Sequence, residues 1–210
     1  MTPVTSDPFP AADFDDWATT YDNTVLDDRF PFSGYQNVLA KIHSVAQPHP
    51  GNLVLDLGTG TGNLAELFHQ EGCKLWCTDF SEPMLAKARQ KMPSAHFLLH
   101  DLYDPLPPEL DHPFDRIVSA YVFHHFELNE KVRILSVMLT RLVPGGRIVI
   151  GDIAFPDKAA LEKVKRAVGG EWEEEFYWIA TESTLVLEKA GFKVEYIQVS
   201  SCAGVYTLQP

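Results

Sequence analysis

The sequence predicts an α/β protein built on a doubly wound, mostly parallel seven-stranded sheet, with a terminal antiparallel hairpin and an N-terminal helical cap. Three observations carry that expectation. From residue 52 onward, short apolar runs alternate with segments of helical periodicity, the rhythm of strand–helix–strand units joined by right-handed crossovers. The first run, 52–58, is apolar on both faces, as a strand covered on both sides requires. It leads directly into Gly58-Thr-Gly-Thr-Gly62 and then into a helical pattern.

The elements follow in order. Residues 1–12 hold three prolines and no apolar period, so they read as a loose lead-in. Asp13 can N-cap a first helix in which Phe14, Trp17, Ala18 and Tyr21 make one apolar stripe at i, i+3, i+4 and i+7. A second helical pattern, 34–47, stops at Pro48-His49-Pro50-Gly51, and residues 1–51 together read as the cap on a core spanning 52–210. Strand 52–58 precedes the helix of Leu64, Leu67 and Phe68, which Gly72 ends. Strand 74–80 precedes a helix capped by Ser81 that tolerates Pro83 in its first turn. Strands follow at 96–101 and 114–123, then a helix over 129–146 and a fifth strand over 147–155. Helices at 157–168 and 183–191 precede a closing hairpin of 193–201 with 204–209.

Composition narrows the function. The chain has 210 residues, 45% hydrophobic, and a net charge of −12, which suits one ordinary domain and opposes nucleic acid or an anionic membrane as partner. Three cysteines make no disulfide framework, and no basic, apolar leader or membrane span is read, so a cytoplasmic protein is expected.

The glycine turn carries the chemistry. A strand opening through glycines into a helix lets backbone approach a ligand at the sheet's carboxyl edge. The spacing is Gly-x-Gly-x-Gly, not the Gly-x-Gly-x-x-Gly of pyrophosphate binders, and no P-loop lysine is present. Asp79, ending the second strand, can accept bonds from both hydroxyls of a ribose and would repel a 2′-phosphate. With these residues in place, the chain resembles a class I S-adenosylmethionine (SAM)-dependent methyltransferase, most closely the small bacterial YrrT-like group. The resemblance covers 52–210, including Leu-Val-Pro-Gly-Gly-Arg-Ile-Val-Ile-Gly-Asp into the fifth strand, and the cap element Trp17-Ala-Thr-Thr-Tyr21-Asp22.

The resemblance implies roles. Asp56 and the loop of Gly58, Thr59, Gly60 and Gly62 would serve the methionine moiety. Asp79 would take the ribose, Phe80 and Met84 would pack on adenine, and Asp101 with Leu102 would meet its amino edge. Ser119, Ala120 and Tyr121 would lie beneath the sulfonium, with Tyr21 reaching in from the cap. The product would be S-adenosylhomocysteine (SAH) and the partner a small-molecule acceptor. Methyl transfer to an activated methyl group can be driven mainly by orientation, worth ~7–11 kcal/mol in well-ordered cases. His124 is the candidate for proton transfer, and packing with one hydrogen bond is the plainer reading.

Several features read as structural. No metal is expected, because His96 and His100 would sit about 13 Å apart on one strand face, and the fourth strand's end lacks the carboxylate of magnesium-dependent catechol methyltransferases. Cys73 and Cys77 read as packing. The run Glu171-Trp-Glu-Glu-Glu175 reads as a solvated helix face. No Asn/Asp-Pro-Pro-Tyr/Phe motif follows the fourth strand and no Pro-Cys pair is present, which points away from base and glutamine methylation. Alternatives are a non-enzymatic SAM-binding sensor and an aminopropyltransferase, which would need acidic residues after the fourth strand. An NAD-dependent oxidoreductase is opposed by the glycine spacing.

Overall fold

Five consecutive parallel strands set the architecture. The computed structural model describes Phe14, Asp15 and residues 17–210; residues 1–12 and Asp13, the expected lead-in and N-cap, lie outside the described residues. The strands are β1 (Leu53–Leu57), β2 (Lys74–Asp79), β3 (His96–Leu99), β4 (Phe114–Ala120), β5 (Leu142–Phe155), β6 (Trp178–Ile179), β7 (Lys193–Gln198) and β8 (Ala203–Gln209). The main sheet runs β3-β2-β1-β4-β5-β8-β7. β1 to β5 are parallel, and β8 inserts antiparallel between β5 and β7, so the expected hairpin closes the sheet. The two-residue β6, beside the end of β5, is additional to the seven strands expected.

Helices cover both faces: α1 (Tyr21–Thr24), α2 (Tyr35–Ala46), α3 (Asn63–Gln70), α4 (Glu82–Lys91), α5 (Leu128–Leu139), α6 (Lys158–Val168) and α7 (Ala180–Lys189). Alternate strand residues feed two core layers. Val54, Val118 and Val149 lie in one; Leu55, Ile117 and Ile148 lie in the other. That double burial is why β1, β4 and β5 read as continuous apolar runs.

Three sequence expectations are corrected. The apolar pattern over 129–146 does not stay helical: α5 stops at Leu139, and 142–146 open β5, with Phe114 opposite Leu142. Pro144 has no N–H to donate to a helix and biases Val143 toward extended backbone. The first helix is broken, with Phe14, Asp15 and Trp17 helical, a turn over 18–20, and α1 beyond it. Within the region 1–51, α2 is not a lid. It buries Val38, Leu39, Ile42 and Ala46 against β4, β5 and β8, so that only the segment before it is free to cap the cavity.

Candidate functional site

The strand order reverses between β1 and β4, and ligands of open α/β sheets sit at such a reversal, outside the strands' carboxyl ends. A cavity of about 550 Å³ lies there, within the ordinary range for small-molecule sites. Its floor is the glycine loop. Gly58 has φ +66°, and a Cβ on it would stand 2.3 Å from Val122 Cγ2, so only glycine lets this loop close against the chain leaving β4. Gly62, at φ +89°, starts α3, and its missing Cβ makes room for Ala88 and Met92 of the α4 region. It therefore supports the loop from behind instead of lining the cavity.

Two carboxylates stand over the floor. Asp56 is buried, its Oδ2 has no hydrogen-bond partner among the described residues, and burial raises its pKa to about 8. Asp79 accepts from the backbone N–H of Gly60 at 2.7 Å and of Ser81 at 2.9 Å. Burial still raises it to about 6, against the lowering effect of those bonds. Beside Asp79, Phe80 and Met84 form one wall, and the Phe14 ring meets Phe80 edge-on at 5.0 Å.

The segment before α2 is fastened over this floor. Asp22 accepts from Thr61 Oγ1 at 2.5 Å, Asn63 Nδ2 at 3.1 Å and Lys91 Nζ at 3.0 Å. Ser81 Oγ donates to Asp15 at 2.6 Å. Tyr21 packs edge-on against Trp17 and hydrogen-bonds Tyr35, whose pKa burial pushes up to about 12. Tyr121 follows β4 with φ +57°, a left-handed conformation unusual for a tyrosine, and its buried hydroxyl has no partner among the described residues.

The far end of the cavity is polar. His124 Nδ1 lies 2.5 Å from Asp152 Oδ1, whose other oxygen accepts from Trp178 Nε1 at 3.0 Å. Burial alone would depress the His124 pKa; the Asp152 carboxylate more than compensates, and the net direction is upward. His124 Nε2 lies 3.9 Å from Glu175 Oε2, and His125 Nδ1 lies 3.7 Å from Glu175 Oε1. Buried Lys131 donates to the Phe176 carbonyl and stands 4.2 Å from the centre of the Trp178 ring.

Of the residues singled out from sequence, Tyr21, Asp56, Gly58, Thr59, Gly60, Asp79, Phe80, Met84, Ala120, Tyr121 and His124 line this one cavity. Four do not. Gly62 is behind the loop. Ser119 is turned into the core, donating to Leu57 O at 2.7 Å. Asp101 holds the backbone N–H of Tyr103, and Leu102 packs toward α5, lining a separate small pocket.

Sequence reasoning missed Asp152 and Glu175. A carboxylate inside the apolar run of β5 was a usable signal for the first. The second came with a misleading one: the acidic run is not a helix face but a 3-10 turn at Gly169–Glu171 and an irregular strand of chain, and Glu171, Glu173 and Glu175 face the cavity. Cys73 and Cys77 are buried free thiols, and His96 stacks on Trp76 at 4.4 Å.

Residues 54–146 match the family described as a methyltransferase domain. A curated uncharacterized methyltransferase of Geobacillus kaustophilus is 34% identical over 199 residues, covering 88% of this chain and 89% of that protein. One of Anoxybacillus flavithermus is 36% identical over 156 residues, covering 71% and 69%. Among solved structures, the DhpI–SAM–HEP complex superimposes with a TM-score of 0.73 at 19% identity, covering 95% of each chain. DesVI of Streptomyces venezuelae does so at 0.69 and 20%, covering 92% and 98%. At such identities the solved structures establish a shared fold.

Proposed function

The chain belongs to the class I SAM-dependent methyltransferases, and from that premise we propose that it methylates a small-molecule acceptor held at the His124 end of the cavity. SAM, when bound, would supply a methyl group activated on a sulfonium, open to in-line attack by an acceptor lone pair with the C–S bond breaking to leave SAH. The observation that carries the assignment is the pairing of Asp56 and Asp79 across a loop that a Cβ at Gly58 would close. The unpartnered Asp56 Oδ2 suits the ammonium of a methionine moiety, with Thr59 and Gly60 presenting backbone beside it. Asp79 suits a ribose, and Phe80 with Met84 suits adenine. Asp101 and Leu102 stand off the wall, so adenine is assigned to the aromatic side. Ala120, Tyr121 and Tyr21 then surround the sulfonium, where tyrosine ring faces attract a cation.

The chain acts as one domain whose segment before α2 closes over the donor. Its fastening through Asp22 and Asp15 keeps water from the reacting atoms, the condition under which positioning contributes most. Net charge −12 and a cavity of small-molecule size favour a small acceptor over a nucleic acid.

Two measurements test this reading. SAM and SAH should raise the melting temperature, a ligand at 100 times its Kd adding about 2.7 kcal/mol, while NAD should leave it unchanged. With a metabolite panel present, SAH should accumulate. Tight SAM binding without turnover on any acceptor would point instead to a sensor.

A further inference from the structure

We infer that His124, His125 and Glu175 form a binding site for one divalent transition-metal ion, zinc being the best fit, at the acceptor end of the cavity. One ligand atom from each residue lies within 4.8 Å of the other two. Ligands about 2.0–2.2 Å from a tetrahedral zinc stand roughly 3.4 Å apart. The Glu175 distances of 3.7 and 3.9 Å run to its two different oxygens, and with one ligand atom per residue lying within 4.8 Å of the others the cluster needs a contraction of up to about 1.4 Å around one ion. Glu175 can supply it, because it sits in irregular chain between α6 and β6 and not on a helix.

The surroundings match those of a metal site. A metal-bound histidine almost always gives its other ring N–H to a carboxylate, which fixes the tautomer and aims the remaining lone pair. His124 has that arrangement: Nδ1 is held by Asp152, leaving Nε2 toward Glu175, and Asp152 is itself held by Trp178 Nε1 and the Ile153 N–H. The local charge also favours a cation. Asp152 and Glu175 both face His124, the exposed Glu171 and Glu173 line the same cavity, and among the described residues the nearby cation Lys131 is engaged by Phe176 O and the Trp178 ring. Two imidazoles and a carboxylate select zinc, iron(II) or cobalt(II) over magnesium or calcium, which take all-oxygen sets. An ion there would face the cavity with a position open, and would draw in acceptors whose methyl-accepting oxygen or sulfur is itself a metal ligand. That last step rests on the methyl-transfer reading; the site itself does not.

The test is equilibrium dialysis of the chelator-stripped full chain against zinc, with cobalt(II) absorption as a second probe and SAH titration in parallel. We expect one zinc per chain, with affinity at least tenfold weaker in Glu175→Gln and in His125→Gln, and SAH affinity within threefold of wild type in both. Asp152→Asn should weaken zinc by 10- to 100-fold. If that buried variant fails to fold, the two partly exposed positions still decide the matter. No saturable zinc uptake, or uptake unchanged in Glu175→Gln and His125→Gln, would overturn the site and leave a hydrogen-bonded cluster only. Zinc bound without SAH binding would sink the methyl-transfer reading and leave the site standing.

Discussion

Asp79→Asn separates the ligand-binding role of this carboxylate from its structural one. Burial pushes the Asp79 carboxyl up to about 6, from 3.8 for an unburied aspartate. A raised carboxyl pKa means the folded state holds its proton more tightly than the unfolded chain. The associated stability is present below pH 4 and is lost as pH rises through 6, by about 3 kcal/mol over the interval at 1.36 kcal/mol per unit. Asparagine keeps one acceptor for the N–H groups of Gly60 and Ser81 and leaves the other poorly served, a cost of roughly 1–3 kcal/mol. Net stability at neutral pH should therefore change little, while this part of the pH dependence disappears. Ribose binding behaves oppositely, because it needs the carboxylate. Below pH 6 the wild type's SAH affinity should fall by a further factor of ten per unit, on top of the slope that Asp56 ionisation imposes below pH 8. The variant should lose that further slope, keep the Asp56 one, and bind 10- to 100-fold more weakly at pH 7.5, from roughly 1.5–3 kcal/mol of charge-assisted bonding. Titration calorimetry from pH 5 to 8 with urea melts at each pH reads both effects. Equal SAH affinity in the two proteins would remove Asp79 from the site. A flat wild-type profile would refute the pKa argument.

Asp56, held near 8 with an unpartnered oxygen, must ionise to receive an ammonium; SAM binding at pH 7 should release close to one proton, seen as different calorimetric heats in two buffers of unlike ionisation enthalpy. Identical heats would exclude the Asp56–ammonium contact. Gly58→Ala forces a Cβ to 2.3 Å from Val122 at φ +66° and should lower stability by roughly 2–4 kcal/mol in urea melts, from overpacking and left-handed strain together; a loss under 1 kcal/mol would mean the loop relaxes freely. Asp22→Ala removes the bonds to Thr61, Asn63 and Lys91 and should raise the SAH Kd several-fold, about 1 kcal/mol, with faster proteolysis around residues 14–24. Unchanged proteolysis would show that the segment is held by its aromatic packing alone.

What was legible in the sequence is what short-range chemistry dictates. The β1–glycine–α3 passage, the Ser81 cap and the terminal hairpin are each specified by residues adjacent in the chain. At the far end of the cavity only His124 was legible, because its partners Asp152, Glu175 and Trp178 reach it only through the return of β5 beside β4 and the loop before β6. Local pattern also misled where two readings share a period. The segment 140–146 continues a helical stripe until Pro144 removes a donor, and the acidic run around Glu174 reads as a helix face, whereas it is irregular chain in which Glu171, Glu173 and Glu174 stay exposed and Glu175 is half-buried at the cavity.

The central claim is that the methyl group goes to a small molecule bound in this cavity. Methyl-labelled SAM should be incubated with the protein and a cell extract, which is then separated into macromolecular and small-molecule fractions. We expect label in the small-molecule fraction matched one for one by SAH, and lost in Asp79→Asn at SAM concentrations below the variant's Kd. Label confined to protein or nucleic acid, or no transfer while SAM binds tightly, would contradict it.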